Sequence, residues 1–407
     1  MPRAPDQPDC VLTVNAGSSS LKVTMFGLQP ATATTMVVAL EVERVGLPGS
    51  LLRVTSGGGG STSEHGIEAP DQAAALRAVL EWLRHGGDDR PFDAVAHRIV
   101  HGGHLYRDPQ MITASLLADL RALVWIDPDH MPQALDAVET IAKSHPGVPQ
   151  IACFDTAFHR PLPRVAQMYA LPRRFWDAGV RRYGFHGLSC EFIVHELSRV
   201  APVAAAGRVI IAHLGNGASL TAVRDGLSVE TTMGFSPAGG LVMSTRSGDL
   251  DPSVLLYALQ REGMRPEGIG RLVNHEAGLL GVSETSHDMH DLLEREPTDS
   301  RAADAVALFC YGVRKAVGAL VAALGGLETL VFTAGIGTHA ASIRARICEG
   351  LSCFGLEIDA GRNAEHAPIV SRDGSAVVIR VMKTDEDQML AGHARRVLSD
   401  GNEHVHI

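Results

Sequence analysis

"VNAGSSSLKV", residues 14–23, decides how the chain begins to fold. Val11, Leu12 and Val14 before it and Leu21, Val23, Met25 and Phe26 after it are strand-type residues, so the stretch between them is a turn joining two strands. A turn needs Gly or Asn. It does not need Ser18, Ser19, Ser20 and Lys22 as well, and that surplus of donors points to an anion held at the tip. A second hairpin of the same chemistry follows at 209–223, "VIIAHLGNGASLTAV". Set beside each other, Gly17–Leu21 and Gly215–Leu220 predict two related domains, each opening on a phosphate-facing hairpin. A third glycine turn, "TLVFTAGIG" at 329–337, leads into the helical pattern "ASIRARICEGL", an arrangement that brings backbone amides close to a nucleotide.

Outward from the first hairpin, "MVVALEVERV" and "SLLRVT" are further apolar segments, and "SGGGGSTSEHG" at 56–66 reads as a flexible hairpin tip. Residues 71–84 carry helical spacing with Asp71 near the start, and "FDAVAHRIVHGG" reads as a strand running into a glycine turn. Helix followed by strand gives an α/β class. Residues 301–324 form a long Ala-rich helix, read as buried packing, with Arg314 and Lys315 telling against membrane insertion.

A chain of 407 residues predicts two domains, each with its own core. With 45% apolar and 20% charged residues it has the composition of a soluble globular protein, and its net charge of −10 provides no basic surplus for a nucleic-acid partner. The six cysteines form no C-x-x-C pair or zinc-like spacing, and their scatter suits free thiols in a reducing compartment. The N-terminal residues lack the apolar core of a signal peptide, and no uncharged stretch is long enough to cross a bilayer; a cytoplasmic location is expected.

Three polar residues stand inside apolar runs: Arg98 in "AHRIVHGG", Asp155 in "IACFDTAFH" and Arg246 in "GFSPAGGLVMSTRSGDLDP". Two guanidinium forks and a carboxylate at a strand end fit phosphoryl transfer; a buried structural ion network is the competing reading. His97, His101, His130, His159, His186 and His213 lie near these runs, yet no H-E-x-x-H pair occurs, which leaves a zinc hydrolase as an outside alternative. Neither a P-loop nor a dinucleotide fingerprint is present, so any phosphate is bound by the hairpins.

Taken in order, "VNAGSSSLK", "HRIVHGG", "FDTAFH", "RRYGFHGLS", "HLGNGAS", "TTMGFSPAGGLVMSTRSGDLDP", "LLGVS", "VFTAGIG" and "KTDED" span nearly the whole chain, and together they resemble the acetate kinase family. The resemblance implies two duplicated ribonuclease H-like α/β domains of the actin and sugar kinase type with a nucleotide cleft between them. The expected domains are 11–158, rejoined by a helix at 385–407, and 159–384. It implies reversible transfer of the ATP γ-phosphoryl group to acetate with Mg²⁺ or Mn²⁺, giving acetyl phosphate and ADP, in a homodimer. A kinase for propionate or another short carboxylate is the near alternative, and a nucleotide-binding regulatory protein without turnover a more distant one.

Carried over residue by residue, Asn15, Ser18, Ser20 and Lys22 match the family's phosphate-side hairpin, with Asn15 and Glu386 at the magnesium positions. Arg98 matches the arginine that holds the acyl carboxylate, Asp155 the catalytic aspartate, His186 and Arg246 the groups that stabilise the transition state, and His130 another active-site histidine. Val100, Phe185 and Pro237 match the pocket for the acyl methyl group, where Asp129 stands at a position the family fills with Leu. His213, Leu214, Gly215, Asn216 and Gly217 resemble the second phosphate hairpin. Asp288, Met289 and His290, with Gly335, Ile336, Gly337 and His339, fall where adenosine is bound. The chain departs from the family at His290, usually Arg, at "GIGTHA", usually "GIGENS", and at Cys190, commonly a histidine.

Overall fold

The structure, a computed structural model, describes residues 9–17, 19–28, 34–58, 60–85 and 91–403. Ser18, expected on the first phosphate hairpin, lies outside the described residues. The chain divides into two compact units, one formed by residues 1–157 with 385–407 and the other by residues 158–384.

The first unit is built on β1 (Asp9–Ala16), β2 (Ser20–Leu28), β3 (Thr34–Glu43), β4 (Leu51–Ser56), β5 (Thr62–Gly66), β6 (Ala94–Ile99), β7 (Gln110–Met111) and β8 (Gln150–Phe154). Their order in the sheet is β5-β4-β3-β2-β1-β6-β8-β7. Strands β1 to β5 form an antiparallel meander, and β6 and β8 then add parallel to β1. The second unit holds β9 (Arg208–Leu214), β10 (Ala218–Arg224), β11 (Leu227–Thr231), β12 (Thr329–Thr333) and β13 (Val378–Val381), ordered β11-β10-β9-β12-β13. Here too an antiparallel three-strand meander is extended by two parallel strands. The series β3-β2-β1-β6-β8 and β11-β10-β9-β12-β13 thus have the same order and sense: the ribonuclease H-like arrangement occurs twice.

Burial explains why these segments pair. In β1 and β2, Leu12, Val14, Leu21 and Val23 are buried with Leu76 and Val79 of the helix Gln72–His85 and Ala137 and Ile141 of the helix Met131–Ser144. In the second unit, Ile193 and Leu197 of the helix Gly187–Val200 pack with Val209, Ile211 and Val331. Each such side chain contributes about 1.5–3 kcal/mol relative to exposure. The helix Ser300–Leu324 is long and apolar enough to span a membrane by length and composition alone, yet it buries Val306, Phe309, Val313 and Leu320 while packing on β9, β10 and β11. Asp299 starts it by accepting from Arg301 N at 2.9 Å, and Gly325, at φ 72°, ends it.

The expected tip at 56–66 is narrower than its composition indicates. Thr62–Gly66 is a fully exposed edge strand on β4, held by backbone bonds that require no apolar side chains. Gly57 turns the chain where a Cβ would collide with Met36 O, so no larger residue fits.

His97 on β6 is buried, with Nε2 2.7 Å from Gln150 Oε1, and burial pushes its pKa down to about 4. The folded state therefore binds this proton less readily than the unfolded state, whose value is near 6.5. Its neutral ring leaves stability intact above pH 6.5 and costs stability as pH falls from 6.5 toward 4. Burial also holds the Glu386 and Asp387 carboxyls above their ordinary range, and these act in the opposite sense. Comparison of wild type with His97→Asn by urea unfolding isolates the first effect. The stability difference between the two proteins should change by about 3 kcal/mol between pH 7 and pH 4, and parallel pH profiles would contradict the assignment.

Candidate active site

In the first unit the expected residues collect at the carboxyl ends of the adjacent parallel strands β1, β6 and β8, where open α/β sheets bind ligands. Asn15 is the penultimate residue of β1, Arg98 lies near the end of β6, and Asp155 follows β8, its N donating to Ile99 O at 2.9 Å. Arg98 is the hub. Its Nη2 donates to Asp155 Oδ2 at 2.7 Å and its Nη1 to Asn15 Oδ1 at 3.1 Å, while Nε lies 3.6 Å from Glu386 Oε2. Asn15 Nδ2 also donates to Glu386 Oε2, at 3.4 Å.

Glu386 begins the helix Glu386–Glu403, which packs across β1, β6 and β8 and so returns a distant carboxylate to this end of the sheet. Next to it, Asp387 accepts from Thr13 Oγ1 at 3.4 Å and from Thr24 Oγ1 at 3.3 Å, fixing the helix start on β1 and β2.

The electrostatics follow from burial. Asp155 is 1% exposed and the Arg98 side chain 20%. Burial opposes the Arg98 charge, but Asp155 and Glu386 outweigh it and hold the guanidinium above its ordinary value. Burial raises the Glu386 carboxyl; Arg98 pulls it back and Asp155 pushes it up again. Two acids thus share one cation. Their oxygens and the Asn15 amide suit a hard divalent ion, whose charge the set lacks. Lys22 sits opposite Asn15 across the β1–β2 pair and is exposed, 3.4 Å from Glu41. Ser20 opens β2, and its carbonyl accepts from Gly17 N at 2.8 Å to close the turn.

Two residues without a sequence signal support this half. Gln72, at the start of its helix, donates from Nε2 to Gly17 O at 2.7 Å and Ser20 O at 3.1 Å, clamping the hairpin. Buried Asp127 accepts from His130 N at 3.2 Å, and its Oδ1 also lies 2.9 Å from His130 Nδ1, so the expected histidine is oriented from its own turn. Val100 is buried just past β6, and Asp129 is half-buried beside His130.

In the second unit the same strand ends are used. His213 is the penultimate residue of β9, beside Thr333 of β12, and Gly215 N donates to Gly217 O at 3.0 Å to shape the hairpin. Leu214 is buried and Asn216 exposed, with Asn216 Oδ1 accepting from Ser244 Oγ at 3.2 Å. The His186 and His213 rings stack with centroids 4.0 Å apart and planes 17° apart. A Cβ placed on Gly217 would stand 3.0 Å from His186 Nε2 and 3.6 Å from Arg246 Nη1, so hairpin, histidine and arginine converge. Arg246 Nη1 donates to Pro237 O at 3.4 Å. The loop carrying Pro237 is held by Tyr169, whose Oη accepts from Phe235 N at 2.8 Å, and by Arg182, which donates to Thr232 O at 3.0 Å. Tyr169 has no signal in the sequence, and Arg182 stands in "RRYGFHGLS" with no role assigned to it. Phe185 is buried in this unit and Pro237 half-buried, whereas Val100 belongs to the first unit.

Gly215 also lies beside the third turn, 3.5 Å from Ala334 Cβ and 3.9 Å from Gly335 N when a Cβ is added. Gly335, Ile336, Gly337 and His339 form the short helix Ala334–His339, in which Gly337 is buried and His339 exposed. Behind it stands Arg344, 0% exposed, donating to Gly337 O at 2.9 Å, Thr338 O at 3.0 Å, Asn363 Oδ1 at 2.7 Å and Asn363 O at 2.9 Å. Burial holds its pKa below the ordinary arginine value. Arg344→Ala leaves these acceptors and a cavity behind; unfolding free energy should fall by roughly 3–5 kcal/mol in urea titrations.

Asp288 caps the helix Met289–Arg295, accepting from His290 N at 2.7 Å; Met289 is buried, and His290 is 81% exposed, 3.7 Å from Glu294. Cys190 is buried 3.5 Å from Thr221 Oγ1, and none of the six cysteines is in a disulfide. Among the described residues the metal-capable cluster of His, Cys, Asp and Glu is the exposed His290, Asp291 and Glu294, while both ring nitrogens of His159 are occupied by Ser228 Oγ and Phe185 O, each at 2.9 Å.

Residues 10–392 match the Acetokinase family. The chain is 42% identical over 399 residues to an acetate kinase of Methylocella silvestris, covering 96% of this chain and 98% of the relative. Its structure resembles a Porphyromonas gingivalis acetate kinase at TM-score 0.84 and 34% identity, covering 96% of this chain and all of that one. It also resembles a Francisella tularensis propionate kinase at TM-score 0.88 and 31% identity, covering 95% and 98%. With strand ends, hairpins and polar residues arranged as above and the match running almost end to end, the chain belongs to the acetokinase family.

Proposed function

We propose that the chain is a carboxylate kinase that moves the γ-phosphoryl group of ATP to acetate, reversibly and in line, giving acetyl phosphate and ADP. The observation that carries this reading is the Arg98 hub, a guanidinium shared by Asp155, Asn15 and Glu386 in a member of this family. Acetate is already a nucleophilic carboxylate, so the protein needs positioned charge more than a strong base. An arginine has five N–H donors, and those of Arg98 beyond its internal bonds serve to hold the substrate carboxylate. Asp155 orients that guanidinium. His186, Arg246 and the amides of the Gly215–Gly217 hairpin receive the charge spread over the equatorial phosphoryl oxygens, and His130 adds a further donor in the first unit. Asn15 and Glu386 would hold Mg²⁺ or Mn²⁺, which when bound neutralises phosphate oxygens. The helix Ala334–His339, with Asp288, Met289 and His290, is the proposed nucleotide-side surface. A cytoplasmic location fits six cysteines of which none is in a disulfide.

Hydroxamate trapping of the acyl phosphate with acetate, propionate and butyrate tests the reading: acetate should give the highest kcat/KM. Propionate is the second reading, favoured by the structural likeness to the Francisella tularensis propionate kinase and by Asp129. Nucleotide binding with no acyl phosphate from any of the three acids would overturn both.

Assembly as a homodimer is supported by the helix Pro252–Gln260, which exposes Val254, Leu256, Tyr257 and Leu259 on one short segment. Leu256→Asp is expected to halve the mass measured by light scattering; an unchanged mass would move the contact elsewhere.

A further inference from the structure

The stacked histidines are tied down by two serines, Ser189 at the end of "RRYGFHGLS" and Ser219 at the end of "HLGNGAS", to which the resemblance assigns no role. His186 precedes the helix Gly187–Val200 in the left-handed region, at φ 60°, and its Nδ1 lies 2.9 Å from Ser219 Oγ on β10. His213 on β9 lies with Nδ1 2.8 Å from Ser189 Oγ, in the first turn of that helix. Ser219 and His213 are themselves a cross-strand pair. The two bonds therefore cross: His186 at the helix start is held by a serine of the β9–β10 hairpin, and His213 of that hairpin by a serine of the helix. Helix start and phosphate hairpin are thereby coupled through two imidazole rings.

The chemistry of the serines sets the protons. Both are 0% exposed, and for each hydroxyl the histidine Nδ1 is its hydrogen-bond partner. A buried serine that accepted from Nδ1–H would leave its own O–H unsatisfied; by donating to Nδ1 it forgoes only a lone pair, the cheaper deficit. Two imidazolium charges 4 Å apart would repel by about 4 kcal/mol at an effective dielectric constant of 20, which works against a charge on both rings. The guanidinium of Arg246 near Gly217 further disfavours a charge on His186. In a neutral ring, a donor to Nδ1 places the proton on Nε2.

We propose that Ser219 and Ser189 are positioning residues that hold His186 and His213 in the Nε2–H form, so that His186 presents an N–H, rather than a lone pair, beside Gly217. This deepens the transfer reading and rests on it for its kinetic consequence. An acceptor lone pair there would repel a phosphoryl oxygen, whereas an N–H stabilises it.

The test uses the full chain. Histidine side-chain ¹⁵N–¹H spectra of the wild type should show both rings as Nε2–H. Ser219→Ala should convert His186 to a mixture of forms and lower kcat by about 10- to 100-fold with KM for acetate and ATP little changed. Ser219→Thr, which keeps a hydroxyl on a strand position, should recover the Nε2–H signal and most of the rate. Ser189→Ala should act in the same way through His213. His186 found as Nδ1–H in the wild type, or an unaltered tautomer and kcat in Ser219→Ala, would overturn the proposal. A wild type without phosphoryl transfer would defeat the transfer reading instead, and the spectra would still decide the serine assignment.

Discussion

Arg98→Ala is expected to lower kcat/KM for acetate by about 10³-fold and to raise KM as well as reduce kcat, because the lost guanidinium serves both bound substrate and transition state. Its second effect is on stability. Asp155 is 1% exposed and Glu386 already has its carboxyl raised by burial, so removing the cation they share leaves two acids with reduced compensation. Breaking such a set costs about 3–5 kcal/mol. Glu386→Gln in the Arg98→Ala background should restore part of the stability and none of the activity, a combination that distinguishes charge imbalance from simple loss of packing. Urea unfolding and steady-state kinetics on the same preparations provide both readings. A variant with wild-type kcat/KM would remove Arg98 from the reaction.

Arg246→Ala should behave differently. Its bond to Pro237 O is long at 3.4 Å, and its Nη1 stands beside Gly217 of the second hairpin, whereas Arg98 is locked to Asp155 at 2.7 Å. The expected result is a fall in kcat of about 10²–10³-fold, with KM for acetate within a few-fold of wild type and unfolding nearly unchanged. That pattern marks a group whose interaction is made in the transition state more than in the ground state. An equal rise in KM would instead assign Arg246 to substrate binding.

The sequence carried the repeated hairpins because a β–turn–β unit is local: Val14, Gly17 and Val23, or Ile211, Gly215 and Leu220, lie within one short window. Once the two hairpins are set side by side, the duplicated sheets follow from short connections and parallel crossovers. Arg98, Asp155 and Arg246 stood out because a charged residue inside an apolar run demands a partner. Their supports stayed hidden. Gln72 reaches a turn 55 residues away, and Ser219 reaches His186 across 33 residues. A serine in a strand or a glutamine at a helix start has no periodicity to announce such a bond. Arg344 has no signal on the helix Ala341–Cys348, since its acceptors include backbone carbonyls and an asparagine rather than acids that charge pairing would reveal. The edge strand Thr62–Gly66 was hidden for another reason: it is fully exposed, and backbone bonds with the polar pairs Arg53–Glu64 and Thr55–Thr62 join it to β4, so no apolar alternation marks it.

The return of the helix Glu386–Glu403 to the first sheet has a consequence for biosynthesis. Asn15 and Glu386 meet across 371 positions, and every residue of the second unit is translated between them. A nascent chain can therefore close its second unit while the first still lacks the carboxylate and the covering helix that finish it, reversing the usual N-to-C succession of domain completion on the ribosome. Catalytic competence arrives only once Glu386 and its helix have been translated, and nonsense or frameshift lesions shortly before codon 386 should yield products that retain the second unit and do no chemistry.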